Sequence, residues 1–266
     1  MPFFPILKTF DAEGFSVIHN YAPNEWEKSN MESKTLWAIY SDGKHWVTKN
    51  LGEIHYGMSR QIHYTEFNLT PIDKAYPLII LQFRKTTLEK KLEELPNHEF
   101  QYSSVPEWRA TTGFSYKNAE TSYQGEINPF PPKASLLTFH PFIQFNKTEN
   151  NLVFVNLEKS PYFRKAKLEI YNAKTHQLID VVEVRNNSTN TFELDQYGFS
   201  PSDLPTFICR SMAGIPFGFG INKESPMLSL EHTHPPASFA VHGERFLIQK
   251  RIKEKWFNIL SPNNIL

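Results

Sequence analysis

The sequence is poor in cysteine, with Cys209 alone among 266 residues. A single cysteine excludes an internal disulfide and any zinc site built from several thiolates. Its neighbours Phe207 and Ile208 are apolar, so we expect Cys209 to be a small buried side chain and not a nucleophile. Chains without disulfides are typical of reducing compartments, and we therefore expect a cytoplasmic protein.

The chain also has no excess charge of either sign and no long apolar run. Its 28 basic and 28 acidic residues cancel, which argues against a protein that coats nucleic acid or an anionic membrane surface. No stretch approaches the roughly 20 apolar residues that cross a bilayer. Lys8 interrupts the apolar start, so we expect neither a secretory signal nor a membrane span.

Local signatures of several enzyme classes are missing as well. The sequence contains no Gly-x-x-x-x-Gly-Lys-Ser/Thr loop, no Gly-x-Ser-x-Gly elbow and no His-Glu-x-x-His pair. Gly214, Gly218 and Gly220 lie close together but lack the spacing of a dinucleotide-binding loop. These absences leave open whether the protein is an enzyme, and they favour a binding role.

The residues that are abundant favour β-structure. Phenylalanine occurs 22 times, and 19 prolines outnumber 11 glycines, a mixture that suits strands joined by proline-containing loops. Asp42-Gly43 lies between two apolar runs and predicts a hairpin. Residues 61–67 alternate with the period of a half-buried strand, and residues 76–83 resemble one buried strand.

Two segments break this pattern and predict helices. Leucines follow a capping box at Thr86 with helical spacing, so we predict a short helix at 86–95 that ends at Pro96. Near the C-terminus, Ile252 and Trp256 lie four residues apart in a basic run, which predicts a terminal helix; the alternative for residues 245–249 is a strand.

Parts of the chain resemble each other, which indicates an internal duplication. The matching pairs are 106–113 with 205–214, 42–45 with 173–176, Phe67 with Phe199, and Pro131-Pro132 with Pro235-Pro236. We interpret them as two related units, residues 1–147 and 148–266. The alternative is that a β-rich chain shows such matches by chance.

Each unit would hold six or seven short strands in about 100 residues, the pattern of an immunoglobulin-like or fibronectin-like β-sandwich. We therefore predict a mainly β fold of two tandem, duplicated sandwich units. The first unit would carry the short helix and the second the C-terminal helix. A fold of this kind does not by itself indicate a function.

One segment carries candidate metal ligands. His232 and His234 are separated by one residue, and on an extended strand such a pair points to one face. His242 follows, and Glu231 precedes the pair. Three histidines can hold a divalent transition metal such as zinc or iron and leave a coordination position for water. The alternative is that these histidines only form hydrogen bonds within a proline-containing loop.

Aromatic side chains between residues 102 and 142 indicate a second kind of site. Exposed rings on a β surface stack on the apolar faces of sugars, while polar neighbours contact the hydroxyl groups. Trp108, Arg109, Tyr123 and Glu231 are the candidate ligand-binding residues. The alternative is that these rings pack inside the core.

Three functions agree with these patterns. The first is a non-catalytic binding or accessory protein, without a cofactor, that presents a β-sandwich surface to a glycan or a protein. The second is a metal-dependent enzyme of hydrolase or oxygenase type, centred on His232, His234 and His242. The third is a structural protein that self-assembles through its β units. We favour the first because the sequence carries no catalytic signature, and the oligomeric state stays open.

Overall fold

The computed structural model describes residues 3–21, 32–97, 99, 110–140, 147–200, 202–232 and 245–261. Within these ranges the chain forms 18 strands, arranged in four antiparallel sheets, and one α-helix. The expectation of a mainly β fold is therefore confirmed. The C-terminal helix is confirmed as well.

Strands from the first half of the chain form two sheets, which we call sheets I and II. Sheet I has the order β1 (Phe4–Ile6), β7 (Ile79–Arg84), β3 (Lys34–Ser41), β4 (Trp46–Ile54) and β8 (Lys91–Leu92). Sheet II has the order β10 (Ala119–Gln124), β9 (Ala110–Tyr116), β2 (Glu13–His19) and β5 (Ser59–His63).

Sheets III and IV come mainly from the second half. Sheet III has the order β11 (Leu136–Phe139), β16 (Pro205–Cys209), β13 (Lys165–Asn172) and β14 (Gln177–Arg185). Sheet IV has the order β18 (Met227–His232), β17 (Ile215–Asn222), β12 (Thr148–Asn156), β15 (Ser188–Glu193) and β6 (Ala75–Pro77).

The two halves share one strand order. With β6 and β8 set aside, each half has eight strands, and the first, sixth, third and fourth form one sheet. The eighth, seventh, second and fifth form the other. A duplicated unit would produce this correspondence. The order differs from the immunoglobulin fold, in which the first two strands share a sheet, so the immunoglobulin-like detail is not confirmed.

The chain leaves sheet II after β10 and enters sheet III at β11, which lies before the predicted boundary at residue 147. One strand also crosses between the halves, because β6 pairs with β15 of sheet IV. The chain then passes through Leu78 into β7 of sheet I, so the single strand expected at 76–83 is two strands in different sheets. The division into units 1–147 and 148–266 stays a prediction.

Three apolar clusters hold the sheets together. One lies between sheets I and II and another between sheets III and IV. The third joins the halves, and within it the rings of Phe114 and Phe219 lie 4.6 Å apart between centroids. Sheets I and IV are thus covered on both faces, which explains why β7 is buried at every residue.

The short helix predicted at residues 86–95 is wrong. This segment is irregular except for β8, which pairs with β4 at the edge of sheet I. The N–H of Thr48 donates to the carbonyl of Lys90 at 3.1 Å, and its hydroxyl donates to the carbonyl of Glu89 at 2.6 Å. Leu88, Leu92 and Leu95 pack against the cluster between the halves. Pairing with β4 thus satisfies backbone groups that a helix would pair internally.

The helix at the C-terminus, α1 (Arg245–Leu260), packs on the outer face of sheet III. Leu260 is buried with Leu137 and Ile208, and the ring of Trp256 lies 4.9 Å from that of Phe139. Lys253, which belongs to the basic run, also takes part in this contact: its ammonium group donates to the carbonyl of Ser135 at 2.6 Å. No helix in the described ranges combines the length and the apolar character needed to cross a membrane.

Candidate functional site

An open groove of about 800 Å³ lies where the edges of sheets III and IV come together. We call it the edge groove. Its walls are residues 10–11, 73–75, Asn151, Lys165, Asp180, Val182, Glu183, 190–193, Gln196 and Tyr197. Strand β14 is the edge of sheet III, and β6 is the edge of sheet IV, so strand ends and loops from both halves line it.

Aromatic side chains are held at the groove by their neighbours. Phe10 is 54% exposed, and its ring lies 5.5 Å from the ring of Tyr76. Tyr197 packs edge-on against Phe199 with 6.3 Å between centroids. Burial, and next the charge and hydrogen bond of Asp180, raise the pKa of Tyr197 to about 12. The phenol therefore keeps its proton at neutral pH.

The polar lining of the groove is mainly acidic. Lys165 lies between two carboxylates, 2.7 Å from Glu183 and 3.1 Å from Asp73, and these contacts raise the pKa of the lysine. Further carboxylates and amides come from Asp11, Asp180, Glu193, Asn151 and Gln196. The groove thus offers many hydrogen-bond acceptors beside exposed ring surface.

Two of the predicted ligand-binding residues lie on strands that pack against each other, β10 and β18. The ring of Tyr123 on β10 is half-buried and lies edge-on to Phe217 at 6.1 Å. Glu231 on β18 is exposed and is the strand partner of Gly218. The structure places neither of them at the edge groove. Trp108 and Arg109 lie outside the described residues, so the predicted sugar-binding surface stays a prediction.

The three candidate metal ligands cannot be assembled from the described residues. His232 is the last residue of β18, and its side chain lies outside the described part, as do His234 and His242. Within the described ranges, no group of three or more His, Cys, Asp or Glu side chains is arranged to hold a metal ion. The zinc or iron site therefore stays a prediction.

A histidine that the sequence reasoning missed, His140, lies in the same region as Glu231. It directly follows β11 and is 1% exposed, and its Nδ1 has no hydrogen-bond partner among the described residues. Burial lowers the pKa of His140 to about 4, so the ring is neutral near pH 7. A Cβ atom on Gly218 would lie 2.7 Å from its Cε1 atom, so this ring needs glycine there. The signal in the sequence that could have indicated a buried histidine is its position directly after the mainly apolar segment 136–139.

Cys209 lies on β16 and is fully buried among apolar side chains of the cluster between sheets III and IV. Burial raises the pKa of its thiol. A buried, protonated thiol is a poor nucleophile, and the interpretation of Cys209 as a small apolar core residue is confirmed.

Comparison of the chain with protein-family models, with curated proteins and with solved structures found no match. The case for function therefore depends on the geometry of the described residues.

Proposed function

We propose that this protein is a non-catalytic binding protein that holds a glycan in the edge groove. The observation that supports the proposal is the combination of exposed Phe10, supported by Tyr76, with carboxylates and amides along the same groove. The proposal includes two expectations from the sequence, namely that the protein is cytoplasmic and that it binds its ligand without a cofactor.

A sugar ring has an apolar face of C–H groups and a rim of hydroxyl groups. Phe10 offers a face on which such a ring can stack, and burial of apolar surface there is favourable. The carboxylates accept hydrogen bonds from hydroxyl groups, and the phenol oxygen of Tyr197, whose proton is shared with Asp180, can accept one as well. The open shape suits an extended chain of sugars more than a small enclosed ligand.

Glycan-array binding by the full chain, followed by calorimetry on the best ligand, tests this proposal. Phe10→Ala removes the stacking surface, and we expect it to weaken binding by about tenfold or more. Tyr21→Ala is the matched control, because Tyr21 is 57% exposed and does not line the groove. Absence of binding on the array, or equal losses in both variants, would contradict the proposal.

One observation favours self-assembly as a second candidate function. Strand β14 has nine residues and a single sheet neighbour among the described strands, so its outer edge carries unpaired backbone groups. Leu178 and Val181 on this strand are 47% and 43% exposed. Long edge strands with apolar side chains pair readily with another strand.

Light scattering over a range of concentrations tests this second candidate. Self-association through β14 should be reduced by Val181→Lys, because a charged side chain on an edge strand opposes pairing. The control is Leu204→Lys, since Leu204 is 40% exposed and lies outside the strand. A monomer at every concentration would exclude this function.

A further inference from the structure

A second pocket, which we call the junction pocket, lies apart from the edge groove and has a volume of about 740 Å³. It is lined by three segments, residues 93–94, 129–132 and 158–162. The first follows β8 of sheet I, the second connects the two halves, and the third joins β12 to β13. Among the described residues, none lines both the junction pocket and the edge groove.

The third segment is held rigidly by side chains from both halves. The indole N–H of Trp46 donates to the carbonyl of Lys159 at 2.9 Å, and the Ser41 hydroxyl donates to the carbonyl of Pro161. Two further bonds come from the buried asparagines that join β14 to β15. Asn187 donates to the carbonyl of Ser160 at 2.8 Å, and Asn186 donates to that of Tyr162 at 3.1 Å.

Four successive carbonyl groups, from residue 159 to residue 162, therefore accept a side-chain hydrogen bond each. Despite this fixed backbone, the side chain of Tyr162 is 65% exposed and lines the pocket. Because the backbone is already fixed, binding a ligand at Tyr162 requires only the side chain to become ordered. The ring of Tyr162 is thus exposed aromatic surface in the pocket on a backbone that needs no further ordering.

Apolar groups and acidic groups share the lining. Phe130 and four prolines supply apolar surface, and prolines have no N–H with which to hold an anion. The carboxylate of Glu158 is buried and already paired with Arg164. Glu93 and Glu94 are exposed, and no ion pair to either is present among the described residues. Lys159 is the one cation among the described residues of the lining, so these residues favour a positive ligand.

We propose that the junction pocket binds an organic ammonium group, either a small quaternary amine or the methylated lysine of a partner protein. The ammonium would lie against the ring of Tyr162, where the face of an aromatic ring attracts a cation. Glu93 and Glu94 would supply opposite charge, and Phe130 and the prolines would contact the methyl groups. Both sources carry the same chemistry, and the test below separates them.

Calorimetric titration of the full chain tests the proposal with tetramethylammonium, choline, a trimethyllysine peptide and dimethylbutanol, the neutral carbon analogue of choline. We expect the cations to bind and dimethylbutanol not to bind. Tighter binding of the peptide would assign the site to a protein partner, and tighter binding of choline would assign it to a small molecule.

Variants then locate the site. We expect Tyr162→Ala to weaken cation binding by about tenfold, Tyr162→Phe to retain it, and Glu93→Gln with Glu94→Gln to weaken it and reduce its salt dependence. Tyr21→Ala is the control for loss of an exposed ring elsewhere. No cation binding up to about 10 mM, equal binding of dimethylbutanol, or cation binding unchanged by Tyr162→Ala would overturn the proposal. These outcomes are independent of glycan binding, which depends on Phe10.

Discussion

The connection from the fourth to the fifth strand lies on the surface in the first half of the chain and is buried in the second. In the first half, Gly57 takes a left-handed conformation with φ of 79°, and Met58 beside it is 58% exposed. In the second half, Asn187 takes a left-handed conformation with φ of 49°, and both Asn186 and Asn187 are completely buried.

The same turn of the shared strand order therefore lies in solvent in one half and inside the protein in the other. An exposed turn needs only a residue that tolerates positive φ, and glycine is sufficient. A buried turn must also satisfy polar groups of the chain packed against it, and an asparagine amide does both. Asn187 accepts from the N–H of Glu158 and donates to Ser160, each at 2.8 Å, so it anchors the wall of the junction pocket.

A second contrast concerns the residue that directly follows the first strand of each half. In the first half this residue is Leu7, which is completely buried in the cluster between the halves. In the second half it is His140, which is buried and whose Nδ1 finds no hydrogen-bond partner in the part of the chain that the structure describes. The second half therefore carries buried polar groups, in its turn and in its core, at places where the first half has solvent or an apolar side chain.

The largest effect is expected from removing the amide of the buried turn. Asn187→Ala leaves the N–H of Glu158 and the carbonyl of Ser160 without partners, and we expect it to reduce the free energy of unfolding by about 4 kcal/mol. Urea denaturation measures the loss. The matched control is Asn68→Ala, because Asn68 has φ of 51° but is exposed.

For the control we expect a loss of about 1 kcal/mol, the cost of the left-handed backbone alone. Similar losses in both variants would mean that the buried hydrogen bonds add nothing, and the contrast between the two turns would then have no energetic meaning.

A pH-dependent effect of similar size is expected from His140. Its folded pKa of about 4 lies below its ordinary value of 6.5, so between these values the unfolded chain binds more protons than the folded chain. Stability contributed by neutral His140 is complete above pH 6.5 and is lost as the pH falls toward 4. The loss should approach about 3 kcal/mol.

Urea denaturation of the parent chain and of His140→Leu between pH 7 and pH 4 checks this prediction, since Leu7 shows that leucine suits the corresponding place. The variant should lose less stability over this range. Parallel profiles would show that another group causes the acid sensitivity.

A smaller effect is expected where the core makes room for that histidine. Gly218→Ala places a Cβ atom 2.7 Å from Cε1 of His140, and the ring must move. We expect a loss of about 2 kcal/mol, in the range of overpacked cores. In the His140→Ala background the same change should cost much less, because the ring is gone. Equal costs in both backgrounds, measured by a double-mutant cycle, would contradict direct contact.

Patterns local in sequence were sufficient for much of the fold. Asp42-Gly43 indicated the β3–β4 hairpin, and the spacing of Ile252 and Trp256 indicated α1, because hairpins and amphipathic helices depend on neighbouring residues. The internal matches pair Phe67 with Phe199, and each of these residues follows the fifth strand of its half. Residues 205–209, however, form the sixth strand of the second half. The match of this segment with 106–113 did not indicate that strand.

The failures occurred where distant segments decide the outcome. Leu88, Leu92 and Leu95 have the spacing of a helix, yet the segment is irregular, because its leucines contact the cluster between the halves and β8 pairs with β4. The edge groove could not be predicted, because it combines residues 10–11 and 73–75 with 180–197, which only the fold brings together. The burial of Asn187 has the same cause, since β6 and the segment at 158–162 cover its turn.

The smallest effect is expected from an ion pair that also connects the two halves. Lys223 lies 2.8 Å from Glu149 and 3.9 Å from Asp11, but its side chain is 45% exposed. Water and salt screen such a pair, and ordering two long side chains costs entropy, so Lys223→Gln should change the free energy of unfolding by less than about 0.5 kcal/mol. Urea denaturation at low and high salt measures this change, and any difference should disappear at high salt. A loss as large as that of Asn187→Ala would mean that surface charge, and not the buried turn, distinguishes the way the second half is attached to the first.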